Sequence, residues 1–250
     1  MTIDMRFFNV YYFCHLANES MGKLDYASNN AAFTDGQFVG DYEHFPQVSV
    51  LRDYCYWLVD SIFYEQASLI DSFGEVSDFN PISWIHQAAT QYTGLVLPPS
   101  NVKIGQEDFL DAFNNYVEHL EANEAGIYST VIEAIATEVE YILFQNRDFL
   151  MRFNEQQATV FERNPLKRVH IPEWVKRAVL FRDKGRCVFC KKDLTGLYTI
   201  LEDNEKQFDH IVPLHAGGLN DVCNIQLTCR ECNLRKSDTT DTSSLYESAY

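Results

Sequence analysis

Two Cys-x-x-Cys pairs, 187-CVFC-190 and 229-CREC-232, stand 38 residues apart in a chain of 250. Each pair sets two thiols on one tight turn, within reach of a single ion, and four thiolates at tetrahedral corners make a closed structural zinc site. Unrelated core cysteines do not explain the pairing, and no βαβ pattern surrounds either pair to suggest a redox dithiol. The spacing therefore predicts that Cys187, Cys190, Cys229 and Cys232 clamp two distant segments on one Zn2+. So short a segment has little apolar core, and metal binding would supply part of its folding free energy. The remaining cysteines, Cys14, Cys55 and Cys223, lie among apolar residues and are expected to be buried and unligated. An odd total of 7 cysteines, with an opening 1-MTIDMRFFNVYYFCHLANES-20 that does not read as a signal peptide, favours a reducing cytoplasm over a disulfide framework.

Between the pairs, Phe208-Asp209-His210-Ile211-Val212 alternates and is rich in β-formers, as is Asn224-Ile225-Gln226-Leu227-Thr228. The stretch 230-RECNLRKSD-238 suits a short helix that opens as the second pair closes. Strand, loop, strand and helix around one zinc frame form a ββα-metal arrangement. Zinc accounts for the thiols but leaves 209-DHIVPLHAGG-218 unexplained.

That stretch, together with 171-IPEWVKRAVLFRDKGRCVFC-190, Asn224 and 229-CRECNLRK-236, resembles the HNH (His-Asn-His) endonucleases of the ββα-metal group over about residues 171–238. The order Asp-His, Pro, Gly-Gly, Asn, CxxCN, Lys is far more specific than any one piece. The resemblance implies a metal-dependent endonuclease that hydrolyses phosphodiester bonds in DNA. His210 would take the proton from the attacking water, work that suits a neutral imidazole. Asp209 would ligate a divalent cation, Asn224 would hold the inter-strand loop and orient His210, and Asn233 would be the second ligand, where the family's third letter is often His. Oxygen ligands suit Mg2+ or Mn2+, so two metals are expected: structural Zn2+ and catalytic Mg2+ or Mn2+. His215, Arg230, Arg235 and Lys236 are candidate phosphate contacts, and Gly217 and Gly218 serve loop geometry. The alternative is a catalytically inactive zinc-knuckle module that binds nucleic acid or protein. Against it, a dead domain need keep only its cysteines.

The charge divides the chain. Residues 1–162 carry 6 Lys+Arg and 24 Asp+Glu, a net of −18; residues 163–250 carry 14 and 12, a net of +2, and together these give −16. Phosphate neutralisation dominates nucleic-acid affinity, so binding is expected of the second part, whose cations gather in 163-RNPLKRVHIPEWVKRAVLFRDKGR-186. A boundary is expected within 161-FERNPLKRVHIP-172, dividing a mainly helical domain (1–162), an HNH domain (163–240) and a polar tail (241–250). The fold class is thus a mostly α N-terminal domain plus a small α+β, zinc-stabilised C-terminal domain. Helical periods run through 50–70, 106–123 and 129–150, the last with Ile132, Ile135, Val139 and Ile142 in one core-facing stripe, Ser129 or Thr130 as cap and Glu133 in the first turn. Residues 20–49 and 74–105 read as irregular connections. No apolar run approaches the ~20 residues of a membrane span. The acidic domain could bind a protein partner, self-associate or restrain the nuclease, as in an antiphage-defence effector.

Overall fold

The computed structural model describes residues 4–21, 43–74, 79–103, 108–123, 126–160, 166–196 and 206–245. Of the expected boundary, residues 161–165 lie outside this set, as does the end of the polar tail, 246–250. Two compact units divide the chain: residues 1–17 with 54–141, and residues 18–53 with 142–250.

Helices α1 (Val10–Ser20), α2 (Val50–Phe73), α3 (Pro81–Thr93), α4 (Phe109–Asn123) and α5 (Ile127–Phe144) supply the first unit. Its core is aromatic and aliphatic: Phe13, Phe63, Phe113, Ile85, Leu120, Ile132 and Ile135 are fully buried, and the rings of Phe13 and Phe63 stack with centroids 6.4 Å apart. Ile132, Ile135 and Val139 thus serve as core. The buried carboxylate of Glu138 accepts the backbone N–H groups of Arg6 and Phe7, fixing a turn in which Phe7 has φ 56°.

Three local readings need correction. Helix α3 lies inside the stretch expected to be irregular. Asn80 caps it by accepting from the Ser83 N–H at 3.0 Å, Pro81 opens it and Gly94 closes it in the left-handed region. Helix α5 starts at Ile127, so Ser129 is inside its first turn and Glu133 beyond it. Its N-terminal cap is the carboxylate of Glu121, which accepts both the N–H and the hydroxyl of Ser129. The helix expected to reach residue 150 stops at Phe144. Its last turn tightens, and the Asn146 amide oxygen, accepting from the Phe149 N–H at 3.1 Å, starts a new helix, α6 (Arg147–Val160).

The second unit holds α6, α7 (Glu173–Arg182), strands β1 (Lys206–His210) and β2 (Ile225–Cys229), and α8 (Arg230–Lys236). The strands pair antiparallel with Lys206 opposite Cys229 and His210 opposite Ile225. Val175 and Val179 of α7 pack with Ile225, Leu227, Leu194 and the zinc-frame thiols Cys187, Cys229 and Cys232 in one apolar cluster, which Phe45 joins from far upstream. The Asn154 amide of α6 donates to the Cys223 carbonyl at 3.1 Å. Residues 43–50 and α6 therefore build the same unit as the two strands.

The Arg182-Asp183 pair in 182-RDKGRC-187 joins these pieces. Both side chains have no exposed surface. The Asp183 carboxylate takes two hydrogen bonds from Arg182 and one, at 2.9 Å, from the Leu227 N–H on β2. Arg182 also donates to the Ile225 carbonyl at 2.6 Å, and Arg147 of α6 lies 3.4 Å from Asp183. The N-terminal knuckle is bonded to β2 directly, through the Val188 N–H and the Leu227 carbonyl. Removing one partner of a buried ion pair leaves the other charge stranded, at about 3–5 kcal/mol. Asp183→Ala should accordingly lower unfolding stability by that order; a drop below about 1 kcal/mol in denaturant titration would show that the pair does not organise the unit.

Candidate functional site

The four sulfurs converge from both sides of the hairpin. Cys187 and Cys190 lie on the turn after α7, Cys229 ends β2 and Cys232 sits in α8. Their Sγ atoms lie within 4.8 Å of one another, and among the described residues no other group of three or more His, Cys, Asp or Glu side chains comes so close. The Cys190–Cys229 sulfur separation of 3.7 Å matches the ~3.8 Å edge of a tetrahedron with zinc–sulfur bonds of about 2.3 Å; it is far too long for a disulfide. The donor set fits Zn2+. The Cys229 sulfur also caps α8, accepting from the Cys232 N–H, and Arg235 directs its guanidinium at the Cys232 sulfur, 3.3 Å away. Cys14, Cys55 and Cys223 are buried and form no disulfide, and burial pushes the Cys14 thiol up to about 12.

The strand ends where the chemistry is expected. His210 is the last residue of β1 and 5 % exposed. Its imidazole lies against the Phe45 ring, centroids 6.5 Å apart, and its Nε2 is 3.2 Å from Oδ1 of Asn220. Asn220 donates its two amide hydrogens to the carbonyls of Glu43 (3.1 Å) and Lys167 (3.0 Å). Both partners are acceptors, so the amide nitrogen faces them and its oxygen faces the ring. Nε2 must then carry the proton, leaving Nδ1 bare to accept one. Burial holds the imidazole pKa down at about 4, against the opposing pull of Asn220 and Asp209, so the ring is neutral at physiological pH.

Asn224, expected both to hold the loop and to orient His210, lies on the short turn before β2. Its side chain accepts from the Val212 N–H and donates to the Val212 and Leu219 carbonyls, all within 3.0 Å. The bond to the imidazole comes instead from Asn220, four residues earlier. Gly218 belongs to the same staple, since a Cβ there would lie 2.0 Å from the Val212 carbonyl oxygen. Gly217 turns the chain at φ 89°. Both glycines serve the loop.

Asp209 is half-buried, with Oδ2 held by Lys236 at 3.0 Å, while Oδ1 has no partner among the described residues. The amide of Asn233, half-buried on α8, likewise has none. A free carboxylate oxygen and a free amide fit a hard divalent cation. Lys236 corrects an expectation. Its side chain is 1 % exposed, and the ammonium, unable to sit buried unpaired, bonds the Asp209 carboxylate and the His210 carbonyl (2.9 Å). It braces the Asp-His pair from beneath and does not face a phosphate. His215, Arg230 and Arg235 are exposed.

Asn220, Phe45 and the Arg182-Asp183 pair are site and support residues that sequence reasoning does not pick out. Asn220 and Asp221 are wholly buried inside 219-LNDVCN-224, and an adjacent polar pair flanked by Leu219 and Val222 is the signal that could have found them. Phe45 has no such mark.

An antiparallel strand pair followed by a helix, closed by a four-thiol cluster and ending in an Asp-His step, defines a ββα-metal element. Residues 187–239 of this chain match the family model described as HNH endonuclease, and the residues upstream lie outside that match. No curated protein and no solved structure matches the chain.

Two measurements check this geometry. The purified protein should carry one zinc per chain. Replacing Cys187 or Cys232 with Ser should release it and abolish cooperative unfolding of the C-terminal unit, since metal binding and folding are one event in such frames; full stability without metal would refute the zinc frame. Nitrogen-15 NMR of the histidine rings should show His210 protonated at Nε2 and bare at Nδ1, and the opposite tautomer would overturn the assigned role of Asn220.

Proposed function

We propose that the chain is a metal-dependent endonuclease that hydrolyses phosphodiester bonds in DNA, with His210 as general base and Asp209 and Asn233 as ligands of Mg2+ or Mn2+. The observation that carries this reading is the neutral imidazole held at the strand end with Nδ1 bare, one residue from a carboxylate with a free oxygen. Nδ1 takes a proton from water, the water oxygen attacks phosphorus, and the bond to the leaving sugar oxygen breaks as that oxygen gains a proton from solvent. Asn220 holds the tautomer that makes Nδ1 the acceptor, and Lys236 fixes the direction of Asp209. A bound divalent cation would polarise the phosphate and offset charge on the leaving oxygen.

This chemistry needs an imidazole that faces water, and here the ring is covered instead. Turnover therefore requires residues 43–45 to lift from the Asn220–His210 pair, and the covered arrangement is read as a resting state. The same covering favours a second reading, in which the element is a catalytically inactive zinc module that binds nucleic acid or protein. Against that reading, the zinc frame needs neither Asp209 nor Asn233, yet both present unengaged oxygen donors.

An acidic helical part joined to a covered nuclease suits an effector released by a partner or by nucleic acid, as in antiphage defence, and four reduced thiols suit the cytoplasm. Among the described residues, no helix is long and apolar enough to cross a membrane.

Plasmid nicking tests the reading. The full chain with Mg2+ or Mn2+ should convert supercoiled plasmid to nicked circle, and His210→Ala should slow this by about 10²–10⁴-fold, the usual worth of a general base, without release of zinc. Equal cutting by both proteins would remove His210 from the chemistry. No cutting by either, with DNA still bound, would favour the inactive module.

A further inference from the structure

The cations that the sequence gathers ahead of the zinc frame have no part in the reading above, and in the structure they converge on one place. A groove of about 570 Å³ runs between α7, the segment before it and the start of β1. Arg168, Lys176, Arg177 and Lys206 line it, with His170 beside them and Glu173 as the one acid among the described residues. Glu173 is already paired to Lys176 at 2.7 Å. Among the described residues, Arg168, Arg177 and Lys206 make no ion pair. The buried face of α7 is Val175, Val179 and Arg182, which leaves Lys176 and Arg177 on the side away from the core. The space is far larger than the ~30 Å³ share of a single water, so it is not the seat of a lone ion.

The groove leads to the candidate site by two routes. Lys206, Gln207 and Phe208 run along the same strand into Asp209 and His210. At about 3.3 Å per strand residue, Lys206 stands roughly 13 Å from His210, about four steps of a duplex at 3.4 Å each. On the other side, the carbonyl of Lys167, the residue before Arg168, is bonded to Asn220, which holds the imidazole. The chain carries a net charge of −16, which opposes a polyanion. Exposed charges more than ~8 Å away are largely screened at physiological salt, so the local cations decide what the groove attracts.

We infer that this groove binds the phosphodiester backbone of the nucleic acid and feeds it along β1 toward His210. The inference rests on the nuclease reading and adds the binding track to it. Contacts from Arg and Lys to phosphate position a strand without reading its sequence, so the track grips any sequence alike.

The test is fluorescence anisotropy with the full chain and a labelled DNA duplex, without added magnesium or manganese, over a series of salt concentrations. The double variant Arg177→Ala/Lys206→Ala should bind roughly tenfold or more weakly, with a log–log salt slope shallower by about 2, one for each phosphate no longer neutralised. Lys192→Ala, which removes an exposed cation outside the groove, is the control. An RNA duplex is titrated in parallel, and weakening confined to the groove variant with either polymer supports the track. An unchanged affinity and slope with both polymers, or an equal weakening in the Lys192 variant, overturns it. Binding is read here without cutting, so failure of the groove leaves the nicking result standing, and failure of nicking leaves the groove result standing.

Discussion

Four sulfurs drawn within 4.8 Å are the constraint on which the C-terminal part depends. Two of them precede the hairpin and two close it, so a single ion held there would join the turn after α7 to the end of β2 and the first turns of α8. A pair of five-residue strands is marginal in water on its own. Here the thiol cluster would bind the pair at one end through zinc, and the Arg182-Asp183 pair holds it along β2 by reaching the backbone at residues 225 and 227. With β2 fixed, β1 is placed by register, and residues 209 and 210 come to lie at the strand's end, opposite Gln226 and Ile225.

Support for the candidate site comes mostly from side chains that touch no substrate. Lys236 braces the Asp-His step from below, Asn224 staples the loop, and Asn220 chooses which ring nitrogen is bare. Each is buried, and each bonds to backbone carbonyls or a carboxylate rather than to solvent. Burial of this kind costs free energy unless every polar atom finds a partner, and the partners found here fix the geometry. The imidazole gains orientation and neutrality together, because the groups that hold it also exclude water.

The paired cysteines, β2 and the short helix are legible in the sequence because their signals are local, whereas β1 (Lys206–His210) lies two residues earlier than the alternation at Phe208–Val212 suggests. Helix α3 is legible too, since Asn80-Pro81 is a start signal and Gly94 a stop, but the surrounding polar residues mask it. The break at Asn146 is hidden by apolar residues that continue the helical period on both sides. Long-range partners leave no such trace. Phe45 is an ordinary aromatic residue until the fold sets it against residue 210. Lys236 reads as a surface cation until a seven-residue helix turns it inward, and Asn224 hides the fact that its neighbour four residues earlier makes the bond to the ring.

The hydrogen bond between Glu43 and Asn220 spans 177 positions. On a ribosome, the chain's early segment is finished long before the loop it must meet, and so separated a pairing is among the slowest to form. The histidine, its amide partner and the aromatic ring of Phe45 can therefore come together only after Asn220 has been made. On the nuclease reading, a chain that has not yet reached that loop has no assembled cutting centre.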